Sequence, residues 1–210
     1  MNMMNTLNIP VDVDVCFREE FRILRTRLDL IRNEKKILMV TSMLSGEGKT
    51  TVAMNLSRSL ADIGKRVIFV ECDLKKSEIS ARYGVEDNGA SIQSYLASQK
   101  NLEEIILKSE KENLDLILSF GSSANSAELL DSERFRMMLV ELKEKYDFVI
   151  IDTPSMIEYI DSTIIARESD AVLLVIQENN VKTKIAEKGL ERFREAKCEV
   201  LGVVLNRVEV

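Results

Sequence analysis

The chain has 210 residues, 45% of them hydrophobic and 30% charged, a balance that fits one globular domain with a sizeable core and excludes a disordered chain. Its net charge of −6 speaks against a nucleic-acid partner, because phosphate backbones require clustered Lys and Arg. Histidine is absent altogether, so Ser-His-Asp triads, Cys-His pairs and His-held metals are excluded, and acid–base work falls to carboxylates or lysines.

Residues 1–14 lack the basic flank and long apolar stretch of a signal peptide. The apolar runs at 148–151 and 171–176 fall far short of the roughly 20 residues of a membrane span. A cytoplasmic protein is therefore expected, one that reaches a membrane only through a partner. Cys16, Cys72 and Cys198 are too scattered for a disulfide framework or a zinc knuckle.

Residues 1–34 read as an N-terminal extension carrying a helix. Glu19, Arg22 and Arg25 follow one another at i, i+3, i+6 and so line one stripe of that helix, and Phe21, Leu24, Leu28 and Ile31 form an adjoining apolar face. A strand is predicted at 36–42. After it comes a helix with Leu56, Leu60 and Ile63 at helical spacing, stopped at Gly64. Further strands are predicted at 66–71, 114–119, 148–152, 171–177 and 200–206, with a long helix through Leu130, Met138 and Leu142 that ends near Tyr146. Several strands are almost continuously apolar, as parallel strands covered on both faces are. The alternation implies an α/β fold in which 35–210 form a single domain, a doubly wound, mostly parallel sheet with helices on both faces.

Between the first strong strand and its helix lies Met43-Leu44-Ser45-Gly46-Glu47-Gly48-Lys49-Thr50. This is a P-loop lacking only the glycine that usually opens the pattern, Met43 standing there instead. Glycines let the loop wrap so that backbone N–H groups face phosphate oxygens, and the helix N-terminus adds its positive dipole end. Ser45, Gly46, Glu47, Gly48, Lys49, Thr50 and Thr51 are expected to surround a nucleoside triphosphate. Lys49 would span the β- and γ-phosphates, and the Thr50 hydroxyl would ligate Mg2+. Two apolar strands end in acids suited to hold that metal: 148–152 ends in Asp152, the Walker B form, and 66–71 runs into Glu71-Cys72-Asp73. Residues 71 and 73 share parity, so both carboxylates fall on one face if the strand persists.

GEGKT, an apolar strand ending acid-x-acid and a later strand ending Asp152-Thr153-Pro154 together resemble the Walker A, A′ and B motifs of the bacterial tyrosine kinases of polysaccharide synthesis. The likeness runs through most of the chain. Residues 121–130 (GSSANSAELL) resemble the family's Gly-x-x-Pro-x-Asn-Pro-x-Glu-Leu-Leu segment without its prolines. Asp161 and Asp170 fall where the family has aspartates, and 202–206 resemble its last core strand, with Asn206 placed near the adenine. Glu19, Arg22 and Arg25 match the E-x-x-R-x-x-R helix that packs neighbouring subunits into a ring. The resemblance implies a P-loop fold of the MinD/ParA type, ATP with Mg2+, transfer of the γ-phosphoryl to protein tyrosines, a homo-oligomeric ring and a separate membrane adaptor that recruits and activates the kinase. Lys49, Glu71, Asp73 and Asp152 would be catalytic, with Thr50, Asp73 and Asp152 positioning the metal. Either Glu71 or Asp73 would accept the phenolic proton.

The departures are specific. The family has Asp where this chain has Glu71 and Arg where it has Lys75, which keeps the charge but loses the bidentate fork. Its tyrosine-rich tail has no counterpart before Val210. Tyr83, Tyr95, Tyr146 and Tyr159 are the only tyrosines, so the acceptor is expected on another protein or inside the domain, unless the chain is an ATP-gated scaffold. Partitioning and septum-site ATPases share the fold, but carry a signature lysine where this chain has Leu44. Residues 206–209 (NRVE) only approximate the Asn-Lys-x-Asp guanine reader of GTPases.

Overall fold

The computed structural model describes residues 6–7, 18–31 and 34–208. Cys16, Glu209, the rest of residues 1–14 and the side chain of Ile31 lie outside the described residues. Eight strands form one sheet among the described residues: β1 (Thr6–Leu7), β2 (Ile37–Ser42), β3 (Val67–Glu71), β4 (Leu107–Ser109), β5 (Leu114–Ile117), β6 (Phe148–Asp152), β7 (Ala171–Gln177) and β8 (Val200–Asn206). Their spatial order is β1-β4-β5-β3-β6-β2-β7-β8, and every neighbouring pair is parallel except β4 with β5.

Strands β2, β3 and β6 are buried at every position, which explains their unbroken apolar runs. Alternate residues serve different cores. Leu38, Val40, Phe69 and Ile150 pack with Val52, Leu56 and Leu60 of α2 (Lys49–Ala61) and with Leu28 of α1 (Arg18–Ile31). Met39, Ile68, Val149 and Ile151 face the other side. There they meet Phe135 and Met138 of α7 (Glu133–Lys145), Ile165 of α8 (Asp161–Glu168) and Phe193 of α9 (Thr183–Glu195). Short helices α3 (Glu78–Tyr83), α4 (Ile92–Leu96), α5 (Leu102–Ile105) and α6 (Ser126–Leu130) fill the connections between β3 and α7.

Four expectations need correction. The long helix through Leu130 is two helices, α6 and α7, because the Ser132 side chain accepts the Phe135 N–H at 3.2 Å and starts a new helix. Helix α2 ends at Ala61, leaving Ile63 half-exposed in the turn that Gly64 makes at φ +80°. The strand expected at 114–119 stops at Ile117. Strands β1 and β4 were not foreseen, being only two and three residues long.

Candidate active site

The register of the sheet assembles the site. Asp152 at the end of β6 lies opposite Val40 of β2 on one side and Glu71 of β3 on the other. The loop that leaves β2 thus rises beside both acidic strand ends, at the crevice outside the carboxyl edge of the sheet. Gly48 adopts φ +93° as it starts α2. A Cβ built there would lie 2.1 Å from Asn206 Nδ2, so only glycine fits. Asn206 Nδ2 donates to the Glu47 carbonyl at 2.8 Å. The Glu47 side chain is fully buried and turns away from the cleft; its carboxylate accepts the N–H groups of Leu44 at 2.8 Å and Gln177 at 3.1 Å. Glu47 and Asn206 therefore fasten the loop from inside. Thr51 is exposed and accepts from Arg82 Nη1 at 3.2 Å.

Lys49 is 4% exposed and its ammonium lies 3.9 Å from Asp73 Oδ2. Burial pulls the Lys49 pKa down, but Asp152, Glu78, Asp73 and Glu71 together outweigh it and hold the pKa above the ordinary lysine value. Asp152 is buried completely, and burial raises its pKa to about 7 against the opposing pull of Lys49. Both Asp152 oxygens and Thr50 Oγ1 are buried without a hydrogen-bond partner. Orphaned oxygens of this kind fit a hard cation, because buried polar groups are otherwise almost always paired. Among the described residues no cluster of three acidic or cysteine side chains could hold a metal alone.

The two acids of the β3 end differ sharply. Glu71 accepts the N–H groups of Glu78 at 2.8 Å, Ile79 at 3.0 Å and Ser119 at 3.1 Å, and the Ser77 hydroxyl at 3.3 Å. Both its oxygens are spent on the N-terminus of α3 and on Ser119, two residues beyond β5. Burial raises its pKa, and those N–H bonds only partly offset the rise. Asp73 Oδ1 accepts the N–H groups of Lys75 and Lys76, whereas Oδ2 faces Lys49. Burial raises the Asp73 pKa as well, opposed first by Lys49.

Gly46, Gly48, Lys49 and Thr50 line an open cleft of about 360 Å³ together with Arg82 and Arg207. Sequence reasoning passed over Arg82 and met Arg207 only in the NRVE comparison with a guanine reader. Their only local signal is a basic residue shortly after each motif strand, and the chain's fold is what aims them at the cradle. The segment resembling the family's Gly-x-x-Pro segment is tied to Walker A′ by Ser123 N–H donating to the Leu74 carbonyl at 2.8 Å. Asp170 sits elsewhere, accepting the N–H groups of Lys36 and Ile37 and the Lys143 ammonium. Asp161 is buried at the start of α8 with neither oxygen bonded. Glu19, Arg22 and Arg25 stand apart from the cradle on α1. Arg22 pairs with Glu19 at 3.2 Å on the surface, but Arg25 donates to the Ser59 carbonyl at 2.7 Å and so binds α1 to α2.

Residues 35–201 match the AAA domain family. The tyrosine-protein kinase CpsD of Streptococcus agalactiae is 31% identical over 190 residues, which cover 90% of this chain and 82% of that protein. The chain belongs to the bacterial tyrosine kinase family. The kinase domain of the Escherichia coli tyrosine kinase ETK superposes on this kinase with a TM-score of 0.85 at 27% identity, covering all of this chain and 87% of that one. The septum site-determining protein MinD of Pyrococcus horikoshii, solved with Mg-ADP, superposes with a TM-score of 0.70 at 26% identity over 83% of this chain and 72% of that one. The fold is therefore shared with septum-site ATPases, while the superposition on the ETK kinase domain is the better of the two.

Proposed function

We propose that this chain is an ATP- and Mg2+-dependent protein tyrosine kinase of capsular or exopolysaccharide biosynthesis, transferring the γ-phosphoryl to a tyrosine hydroxyl. The observation that carries the reading is the convergence of Lys49, Thr50, Asp73 and Asp152 in one buried, P-loop-framed corner, with the Thr50 hydroxyl and both Asp152 oxygens unpaired. Mg2+, when bound, would supply positive charge against the phosphates as charge develops during transfer. Thr50 and Asp152 would hold it, with Asp73 beside them. Lys49, kept cationic by its acidic surroundings, stabilises charge on the transferring group. Asp73 is the base in this reading, because Glu71 has both oxygens committed to the α3 N-terminus. Arg82 and Arg207 stand at the cleft rim as further phosphate or base contacts.

In this reading the chain works as a ring in which α1 contributes Glu19 and Arg22. Among the described residues no helix is long and apolar enough to cross a membrane. A separate membrane adaptor would hold the kinase at the inner face of the cell membrane and complete its site. The test is to incubate purified protein with Mg2+ and labelled ATP, with and without the cytosolic tail of a candidate adaptor. Phosphotyrosine that disappears in Lys49→Met supports the proposal. ATP hydrolysis with no phosphotyrosine on any added substrate would instead establish an ATP-gated scaffold of the MinD type.

A further inference from the structure

The four tyrosines differ widely in setting. Tyr95 and Tyr146 are 6% and 8% exposed, and Tyr146 Oη donates to Asp115 at 2.7 Å. Tyr83 is half-buried at the end of α3. Tyr159 is 37% exposed and follows β6 in the segment that runs alongside the P-loop. Three contacts hold that segment to the cradle: Met156 N–H donates to the Ser42 carbonyl at 2.8 Å, Ile157 N–H to the Met43 carbonyl at 3.3 Å, and Ser45 N–H to Glu158 Oε1 at 3.3 Å. The Lys75 ammonium, from the loop after β3, lies over the Tyr159 ring, 5.6 Å from its centroid. The Lys75 N–H in turn donates to Asp73 Oδ1 at 3.3 Å, and Asp73 Oδ2 faces Lys49. Tyr159 is thus an exposed tyrosine on a segment bonded to the P-loop, joined through Lys75 to the residue read above as the base.

We propose that Tyr159 is a phosphorylation site of this kinase, modified by the cradle of its own chain. The inference rests on the kinase reading above. In the step, the Tyr159 phenolic oxygen forms a bond to the γ-phosphorus, the bond from that phosphorus to the bridging oxygen of the β-phosphate breaks, and ADP leaves. The phenolic proton passes to the Asp73 carboxylate. The phosphate so formed lies within reach of the Lys75 ammonium, which exchanges a cation–π contact for a charge-assisted hydrogen bond.

The test uses the full chain with Mg2+ and ATP, and a random copolymer of Glu and Tyr as a parallel acceptor. Phosphopeptide mapping by mass spectrometry is expected to find phosphate on Tyr159, at a rate per molecule unchanged over a tenfold range of protein concentration. The label is lost in Lys49→Met and Tyr159→Phe, and Lys75→Ala slows it several-fold. A second readout needs no turnover. With ring-13C tyrosine, the signal assigned to Tyr159 by its loss in Tyr159→Phe should shift on saturation with Mg2+ and a non-hydrolysable ATP analogue, while those of Tyr95 and Tyr146 stay in place. A labelled copolymer with Tyr159 bare, a Tyr159 signal unmoved at saturation, or a rate that grows in proportion to concentration overturns the inference and leaves the kinase reading standing. Nucleotide binding without label on either acceptor removes both.

Discussion

Asp152 shows what a single residue gives up for this site. Its carboxyl has a pKa of about 7 in the fold against 3.8 for an exposed aspartate, so between those values the folded state holds more protons than the unfolded one. Stability must then fall as pH rises from about 4 to about 7, by up to about 4 kcal/mol from this group in the metal-free protein. Thermal melts of wild type and Asp152→Asn across that window check this. The variant should show a shallower slope, since Glu71 and Asp73 keep their own raised pKa values, and melt higher at pH 8, while losing Mg2+-dependent ADP affinity; equal slopes would refute the assignment. Glu71 makes the opposite trade. Ser77 stands at the N-cap of α3 without capping it, and Glu71 supplies the missing acceptor from the end of β3, using the methylene that an aspartate lacks. Glu71→Ala leaves the N–H groups of Glu78, Ile79 and Ser119 unpaired and should cost about 3 kcal/mol in urea unfolding, and Glu71→Asp about 1–2 kcal/mol.

At the scale of elements, what could be read in advance follows from how local each cause is. Strand β6 was legible to the residue because a fully buried apolar run ends in a charged one, and the P-loop because its glycines stand at fixed spacing before a helix. Lys49, Thr50 and Asp152 came with those motifs. The division of labour between Glu71 and Asp73 did not, because it depends on N–H groups from α3 and from Ser119, 48 positions away. The α6–α7 break was hidden for a similar reason: apolar residues continue in helical spacing across it, and one serine side chain decides the restart. The Gly48 junction yields a prediction at this scale. Gly48→Ala combines a left-handed backbone with a Cβ only 2.1 Å from Asn206 Nδ2, so it must displace the Asn206 side chain from the Glu47 carbonyl or distort the loop itself. Melting should drop by the equivalent of about 2–3 kcal/mol, with ADP affinity reduced at least tenfold. Pairing it with Asn206→Ala should recover part of the stability, because the side chain in the way is gone. Recovery of none would mean the backbone angle alone is at fault.

For the whole molecule, the question is how α1 would serve both its own subunit and the ring proposed above. The Glu19, Arg22 and Arg25 stripe suggested one shared role, yet the fold separates its members. Leu28 is 1% exposed in the core with Leu38 and Phe69, and Arg25 binds Ser59 on α2, so this side of the helix is committed to its own subunit. Arg22 and Glu19 point outward, next to Ile23 and Leu30, which are 46% and 78% exposed. A surface pair of this kind contributes little to folding, typically below about 1 kcal/mol. A guanidinium fork on a helix carrying exposed apolar side chains is instead suited to a partner surface. The two arginines should therefore separate cleanly. Arg25→Ala should lower stability by about 1–2 kcal/mol, for a half-buried charged hydrogen bond lost. Arg22→Ala should leave the melt within about 0.5 kcal/mol of wild type. Light scattering at fixed concentration should then show a smaller assembly for Arg22→Ala, with ADP affinity retained. If Arg22→Ala keeps the wild-type mass, the outward face of α1 takes no part in the proposed ring. If Arg25→Ala melts as wild type does, the bond to Ser59 does not anchor the helix.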